Sequence, residues 1–430
     1  MKYAKSWGLY PNIRATQRDC WWLKDIIGEK GPKKYLAIGL GRSYGDVGLL
    51  SASQGCLLGM QRCNHLSNFD AKSGTLTAEA GCSIETILNW SVPRGWFLPV
   101  VPGTRHVTLG GAIANDIHGK NHHRDGTFGH WVESFTLFHS EKGWLDVAKG
   151  SDLFAATIGG LGLTGIIGQV RLRLQKIPAG GWIEQQTECF SDLKEGCEFL
   201  NAMDGEFPMS VAWLNLDSKR LGGGVAMGGR FVEIAAGEKE ARLARAKLAV
   251  PISAPNFLLN KWSIGCFNKL YSATRRTGLS RVDFGSYFFP LDSVLDWNRL
   301  YGAQGFLQYQ CVVPSEETLA ELIKIIRNSE ARSFLSVLKK FGSKESLGWL
   351  SFPKAGWTLA MDFPMRGEKT LSLMNRLDEV VQADGGRLYP AKDARMSEVF
   401  FKKSYPKWSQ LEESRDPQIT SAFWSRMTES

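Results

Sequence analysis

Apolar and polar residues alternate with a period of two in TLTAEAG (75–81), VESFTLFH (132–139) and QVRLRLQKI (169–177), the pattern of half-buried strands. KKYLAIG (33–39) and GCLLGM (55–60) are short apolar runs and read as buried strands. VESFTLFH and WLDVAK form a hairpin around Glu141 to Gly143. A helix runs from Ser83 to about Trp90, with Ser83 as N-cap and Glu85 in its first turn. Trp21, Trp22, Ile26 and Ile27 stand at helical spacing and predict a helix over 17–30. In SDLFAATIGGLGLTGII (151–167) a short helix, a glycine turn and an apolar strand follow one another. Further on, FLQYQCVVP (306–314) and GWTLAMDFP (356–364) supply strands of a sheet, with helices over 316–328 and 368–383 covering one of its faces. Pro178, Gly180 and Gly181 mark a boundary. The order of elements is that of an α+β protein.

The stretch 102–128, PGTRHVTLGGAIANDIHGKNHHRDGTF, fits neither period. It gathers five glycines, four of the seven histidines and Lys120. Gly110 and Gly111 remove side chains where a backbone approaches a ligand closely. Asn115, Asp116, His118 and Lys120 bring polar groups to the same place, which suggests the wall of a cofactor site. Upstream, GLGRSYGD (39–46) has the spacing GxGxxxG rather than GxGxxG and leads into apolar, strand-like sequence instead of a helix. A Rossmann site is disfavoured. The loop can cradle phosphates with its own N–H groups, aided by Arg42 and Ser43; on its own, a structural turn explains it equally well. His118, His122 and His123 lie close in sequence, but Gly119 and Asn121 bend the chain between them, and no Cys or carboxylate pair completes a ligand set. No metal site is expected.

A chain of 430 residues, 43% hydrophobic and 22% charged, is expected to form two to three soluble domains. Its first residues carry no apolar run long enough for a secretory signal, and nothing approaches the ~20 apolar residues of a transmembrane helix. A cytoplasmic location is expected, with peripheral attachment to the inner face of the membrane considered. The eight cysteines contain no CxxC pair and are taken as reduced. The net charge of +9 is concentrated: 241–282 holds Arg242, Arg245, Lys247, Lys261, Lys269, Arg275, Arg276 and Arg281 and no acid. Within it, PNFLLNKWSIGCFNKLYSATRR (255–276) interleaves these cations with aromatic and aliphatic residues. That suits an anionic lipid surface, while a solvated helix and loop would account for it as well. Nucleic acid is disfavoured, since no binding motif accompanies the charge.

GLGRSYGD, PGTRHVTLGGAIANDIHGKNHH, GGLGLTGII (159–167), GFLQYQ (305–310) and RLYPAKDAR (387–395) together resemble the decaprenylphosphoryl-β-D-ribose 2′-oxidase family, within the vanillyl-alcohol-oxidase superfamily of FAD enzymes. The resemblance runs from about residue 5 to the C-terminus. It implies a PCMH-type FAD-binding domain of two α+β subdomains (1–180), a substrate-binding cap whose antiparallel sheet roofs the flavin (181–386), and a segment completing the FAD domain (387–430). It implies that FAD is held by Ile38, Gly39, Leu40, Gly41, Arg42, Ser43, Tyr44, Gly45, Asp46 and Val47. Gly103, Thr108, Gly110, Gly111, Asn115, Asp116, Ile117 and His118 of the second loop, Ile167 of the third, and Tyr389 complete that set. Some superfamily members bind flavin covalently through a first-loop histidine; Tyr44 stands there, so dissociable FAD is expected.

On the substrate side the resemblance implies catalytic roles for Lys392, Lys120 and His118, and pocket positions for Gln310, Lys339, Phe288, Thr358 and Ala360. Thr358, Ala360 and Phe288 depart from the asparagine, cysteine and tyrosine of the best-known members. They alter the pocket wall. The implied reaction is oxidation of the 2′-hydroxyl of a polyprenyl-phosphoryl ribose, completed by a separate NAD(P)-dependent reductase. A soluble sugar, alditol or aldonolactone oxidase is the alternative.

Overall fold

The computed structural model describes residues 2–28, 34–216, 220–246, 248–255, 276–329, 333 and 335–429. Most of the basic aromatic stretch, 256–275, lies outside the described residues.

Three sheets organise the chain. β1 (Lys2–Ala4), β2 (Ala15–Asp19), β3 (Lys34–Ile38) and β4 (Gly55–Gly59) form the first, in the order β1-β2-β4-β3. β4 runs parallel to both β2 and β3. The second sheet is antiparallel and contains β5 (Leu66–Asp70), β6 (Thr75–Glu79), β7 (Val132–His139), β8 (Gly143–Ala148) and β9 (Ile166–Arg173), ordered β5-β6-β9-β7-β8. Its alternation is visible in β9, where Val170 and Leu172 are buried while Gln169, Arg171 and Arg173 are exposed. Three glycines at positive φ, Gly159, Gly162 and Gly165, turn the chain from the helix Asp152–Thr157 into β9.

The third sheet is antiparallel and eight-stranded. It comprises β10 (Trp182–Phe190), β11 (Met209–Asn215), β12 (Gly223–Val232), β13 (Gly278–Asp283), β14 (Phe306–Val313), β15 (Ser336–Phe341), β16 (Gly356–Pro364) and β17 (Arg387–Leu388). The order is β13-β10-β12-β11-β15-β16-β14-β17. Every residue of β14 is buried. Helices Glu316–Asn328 and Glu368–Ala383 cover one side with Leu319, Leu322, Ile323 and Ile326, and with Leu373, Met374, Leu377 and Val381. Each such side chain stabilises the layer by about 1.5–3 kcal/mol. Ser315 caps the first of these helices by accepting from the Thr318 N–H. On the opposite side the register sets Gln308 beside Asp362 and Gln310 beside Ala360. Among the described residues no helix is long and apolar enough to cross a membrane.

After β17 the chain returns to the first sheet. Tyr35 N–H donates to Gln418 O at 2.9 Å, and Ala422 N–H to Leu49 O at 2.8 Å. Arg426 joins two buried carboxylates, with Nε 3.0 Å from Asp46 and an Nη 3.0 Å from Asp393.

The helix expected over 17–30 does not form. Residues 15–19 are drawn into β2 by pairing with β1 and β4, and only a 3-10 helix, Leu23–Gly28, follows. Trp21 and Trp22 are 55% and 53% exposed. Each lies against a polar partner instead of the core, Trp21 beneath the Arg62 guanidinium and Trp22 stacked on His65. The helical spacing was therefore not a core stripe.

Replacing Arg426 would leave Asp46 and Asp393 buried without their shared cation. Arg426→Met is expected to destabilise the protein by about 3 kcal/mol, seen as a lowered midpoint in denaturant unfolding. An unchanged midpoint would show that the tail is not anchored there.

Candidate active site

Close approach of backbones builds the floor of the site. A Cβ on Gly39 would fall 2.2 Å from Thr108 Oγ1, and one on Gly45 would fall 1.5 Å from the carbonyl oxygen of Asp393. These glycines let the first turn touch both the second turn and the returning tail. Tyr44 N–H then donates to Ala391 O at 3.0 Å, and Tyr389 Oη to Asn115 O at 3.0 Å. Thr108 caps the helix Leu109–Ala114. Gly110 packs on Ala80 and Gly111 on Thr108, so both are small to admit protein neighbours, besides lining the site.

Between these turns and the third sheet lies a cavity of about 550 Å³. Of the residues singled out from sequence, it is lined by 38–45, Val47, Gly103, Thr108, Gly110, Gly111, Asn115, Ile117, His118, Lys120, Ile167, Phe288, Gln310, Lys339, Ala360, Tyr389 and Lys392. Asp46, Asp116 and Thr358 do not line it. Asp46 is turned to Arg426. The Asp116 carboxylate accepts from Gly129 N–H at 2.8 Å and Ser351 Oγ at 2.6 Å, tying two loops together. Thr358 stands behind Gln310 and accepts from its amide at 3.2 Å. Trp7, His106, Trp213, Trp297 and Gln308 also line the cavity and were not anticipated. Gln308 left a signal, because alternation along β14 puts it on the same face as Gln310, and His106 belongs to the histidine-rich stretch 102–128.

Three lysines meet in this cavity, each partly exposed to it and otherwise enclosed by protein. Lys120 Nζ donates to the carbonyls of Tyr287 (2.9 Å) and Phe288 (3.2 Å), and Lys339 Nζ to that of Gly119 (3.3 Å). Lys392 Nζ stands 3.7 Å over the Tyr44 ring. None of the three reaches a described carboxylate at ion-pairing distance. Burial pushes Lys120 down to about 7, with Lys339 adding repulsion, and pushes Lys339 down to about 8. Lys392 is lowered by burial and partly restored by the charge of Asp362.

His118 is held neutral by burial and by Lys339. Its Nε2 accepts from the Gln310 amide at 3.0 Å, which places the ring proton on Nδ1. Phe341, Phe352 and Tyr389 surround it. The neighbouring histidines go elsewhere: His122 packs on Phe341, and His123 lies 3.4 Å from Asp204.

The lining suits a flavin nucleotide. Arg42 Nε, His106 Nε2, Asn115 Oδ1 and His118 Nδ1 are buried without a protein partner, a mixed set of donors and acceptors around one cavity. Gly103 opens onto free space, where a Cβ would meet nothing within 4 Å.

Residues 29–148 match the FAD binding domain family. With the cavity geometry, this makes the chain an FAD-dependent oxidoreductase. It is 34% identical over 407 residues to decaprenylphosphoryl-beta-D-ribose oxidase of Mycolicibacterium smegmatis, covering 90% of this chain and 87% of that protein. An uncharacterized protein in the mprA 5′ region of Streptomyces coelicolor is 32% identical over 349 residues, 75% of this chain and 92% of the relative. The chain belongs to the decaprenylphosphoryl-β-D-ribose oxidase family.

Around pH 8 Lys120 has largely, and Lys339 about half, given up a proton that the unfolded chain holds until about pH 10.4. The unfolded state then binds more protons, so stability rises with pH. Between pH 7 and about 7.5, a full unit below the ordinary thiol pKa of about 8.5, the unfolding midpoint is expected to climb. Lys120→Met should flatten that slope. A Met variant with the wild-type slope would show that Lys120 keeps an ordinary affinity for its proton.

Proposed function

We propose that this oxidoreductase converts the 2′-hydroxyl of a polyprenyl-phosphoryl-β-D-ribose to the 2′-keto sugar. This is the first half of an epimerisation to the arabinose form, which a separate NAD(P)-dependent reductase completes. The observation that carries the reading is the 407-residue likeness to a decaprenylphosphoryl-beta-D-ribose oxidase, in a chain whose cavity gathers Lys120, Lys339 and Lys392. In this reading residues 1–180 and 387–430 hold the cofactor and 181–386 the substrate.

Oxidising a secondary alcohol requires one proton to leave the hydroxyl and a hydride to leave the carbon. FAD, when bound, supplies the hydride acceptor. Lys392, whose amine is made available by burial, takes the hydroxyl proton at Nζ. Lys120 and Lys339 present positive charge to anionic groups, whose binding strengthens the lysines' hold on their protons. Neutral His118 holds Gln310 in place against the sugar, with Phe288 and Ala360 shaping the wall. The first-loop residues and Tyr389 enclose the cofactor without a covalent link, Tyr44 standing where a linking histidine would be. The basic segment 241–282 rests on an anionic membrane surface, from which the lipid-linked substrate is drawn.

Anaerobic addition of a polyprenyl-phosphoryl ribose is expected to bleach the flavin, while free sugars, alditols and lactones do not; the reverse pattern would assign the chain to the soluble sugar oxidases. Lys392→Ala should slow bleaching by about 10²-fold or more with FAD still bound, and near-normal bleaching would remove Lys392 from its role. Acid precipitation should release all the flavin into the supernatant; yellow pellets would mean a covalent bond. Binding to anionic vesicles should fall on charge reversal at Arg275 and Arg276.

A further inference from the structure

One buried carboxylate acts electrostatically on Lys392. Asp362, on β16, is fully buried. Its Oδ1 accepts from Gln308 Nε2 at 2.5 Å, and its Oδ2 is approached by the Tyr301 hydroxyl at 3.5 Å, long for a hydrogen bond. Gln308 lines the same cavity as Tyr44, whose ring carries the Lys392 Nζ. Asp362 thus stands behind Gln308, in a wall that Gln308, Tyr44 and Lys392 line from β14, the first turn and the tail.

The other titratable groups facing this wall do not offset an ammonium on Lys392. Lys339, on β15, repels it. His118 is neutral. Tyr44 and Tyr301 are kept in their phenol forms by burial. Asp362 is the described group whose negative charge favours the Lys392 ammonium, and burial in turn raises its own affinity for a proton.

We propose that Asp362 is a positioning residue for the oxidation, its carboxylate balancing the ammonium formed when the substrate hydroxyl proton moves to Lys392 Nζ. The proposal rests on the reading of Lys392 given above. The O–H bond of the alcohol breaks, an N–H bond forms on Lys392, and the electron pair of the broken C–H bond leaves as hydride to FAD. With Asp362 ionised, the two groups together go from one net negative charge to none. In a wall that also holds Lys120 and Lys339, the same proton uptake without Asp362 would create a cation with no described anion to offset it in low dielectric.

Asp362→Asn removes the charge and keeps an acceptor for Gln308. In the holoenzyme, amine-reactive labelling of Lys392, followed on its peptide by mass spectrometry across pH, should show a half-labelling pH lower by about half a unit or more. The acid limb of the pH profile for flavin reduction should move the same way, and the plateau rate should fall about tenfold with substrate affinity unchanged. Asp362→Glu, which keeps the charge, should label like the wild type. If the Asn variant does not fold, Gln308→Met weakens the ionised carboxylate and should shift labelling in the same direction. An unmoved half-labelling point in the folded variant overturns the proposal. Labelling needs no substrate, so that failure is distinct from a ribose lipid that does not bleach the flavin, which sinks the substrate reading instead.

Discussion

Three lysine amines share one cavity wall of this protein with no described carboxylate at ion-pairing distance, and the rest of the structure makes that arrangement tolerable. Buried cations either give up their protons or meet an anion. Backbone carbonyls of Tyr287, Phe288 and Gly119 hold two of the lysines in place, and an aromatic face holds the third. Such partners orient an amine without fixing its charge. The site can therefore hold a proton or release it, as removal of a hydroxyl hydrogen requires.

Rigidity comes from the eight-stranded sheet. Gln308 and Gln310 on β14, with Thr358, Ala360 and Asp362 on β16, share one face by strict alternation, and the registers opposite one another are fixed by backbone bonds. A one-residue slip of either strand would turn this face into the helix-covered core. The chemistry is thus tied to the apolar packing of the two helices behind it.

Much of this was legible in the sequence, and the failures have physical causes. The helices at 316–328 and 368–383 were plain because a broad apolar stripe must be buried and each has a definite start. The turn motifs were legible because glycines at strained or crowded positions leave no choice of residue. The 17–30 segment misled because tryptophans beneath a guanidinium and against an imidazole mimic a core stripe. Asp46 and Asp116 sit inside cofactor motifs yet serve as struts, and local sequence cannot tell a strut from a contact. The reason offered for Gly110 and Gly111 was incomplete, since Ala80 and Thr108 need the room. Asp362 was missed because its meaning depends on Tyr44 and Lys392, residues from two distant parts of the chain.

The fit of Gly45 against Asp393 carries a consequence for biosynthesis. A pocket whose first turn closes only against residues near 390 is incomplete while that part of the chain is still inside the ribosome. The N-terminal sheets can form early, as domains commonly do during synthesis. Tight capture of the nucleotide waits until translation has passed the tail, so cofactor loading becomes a late, post-synthetic step.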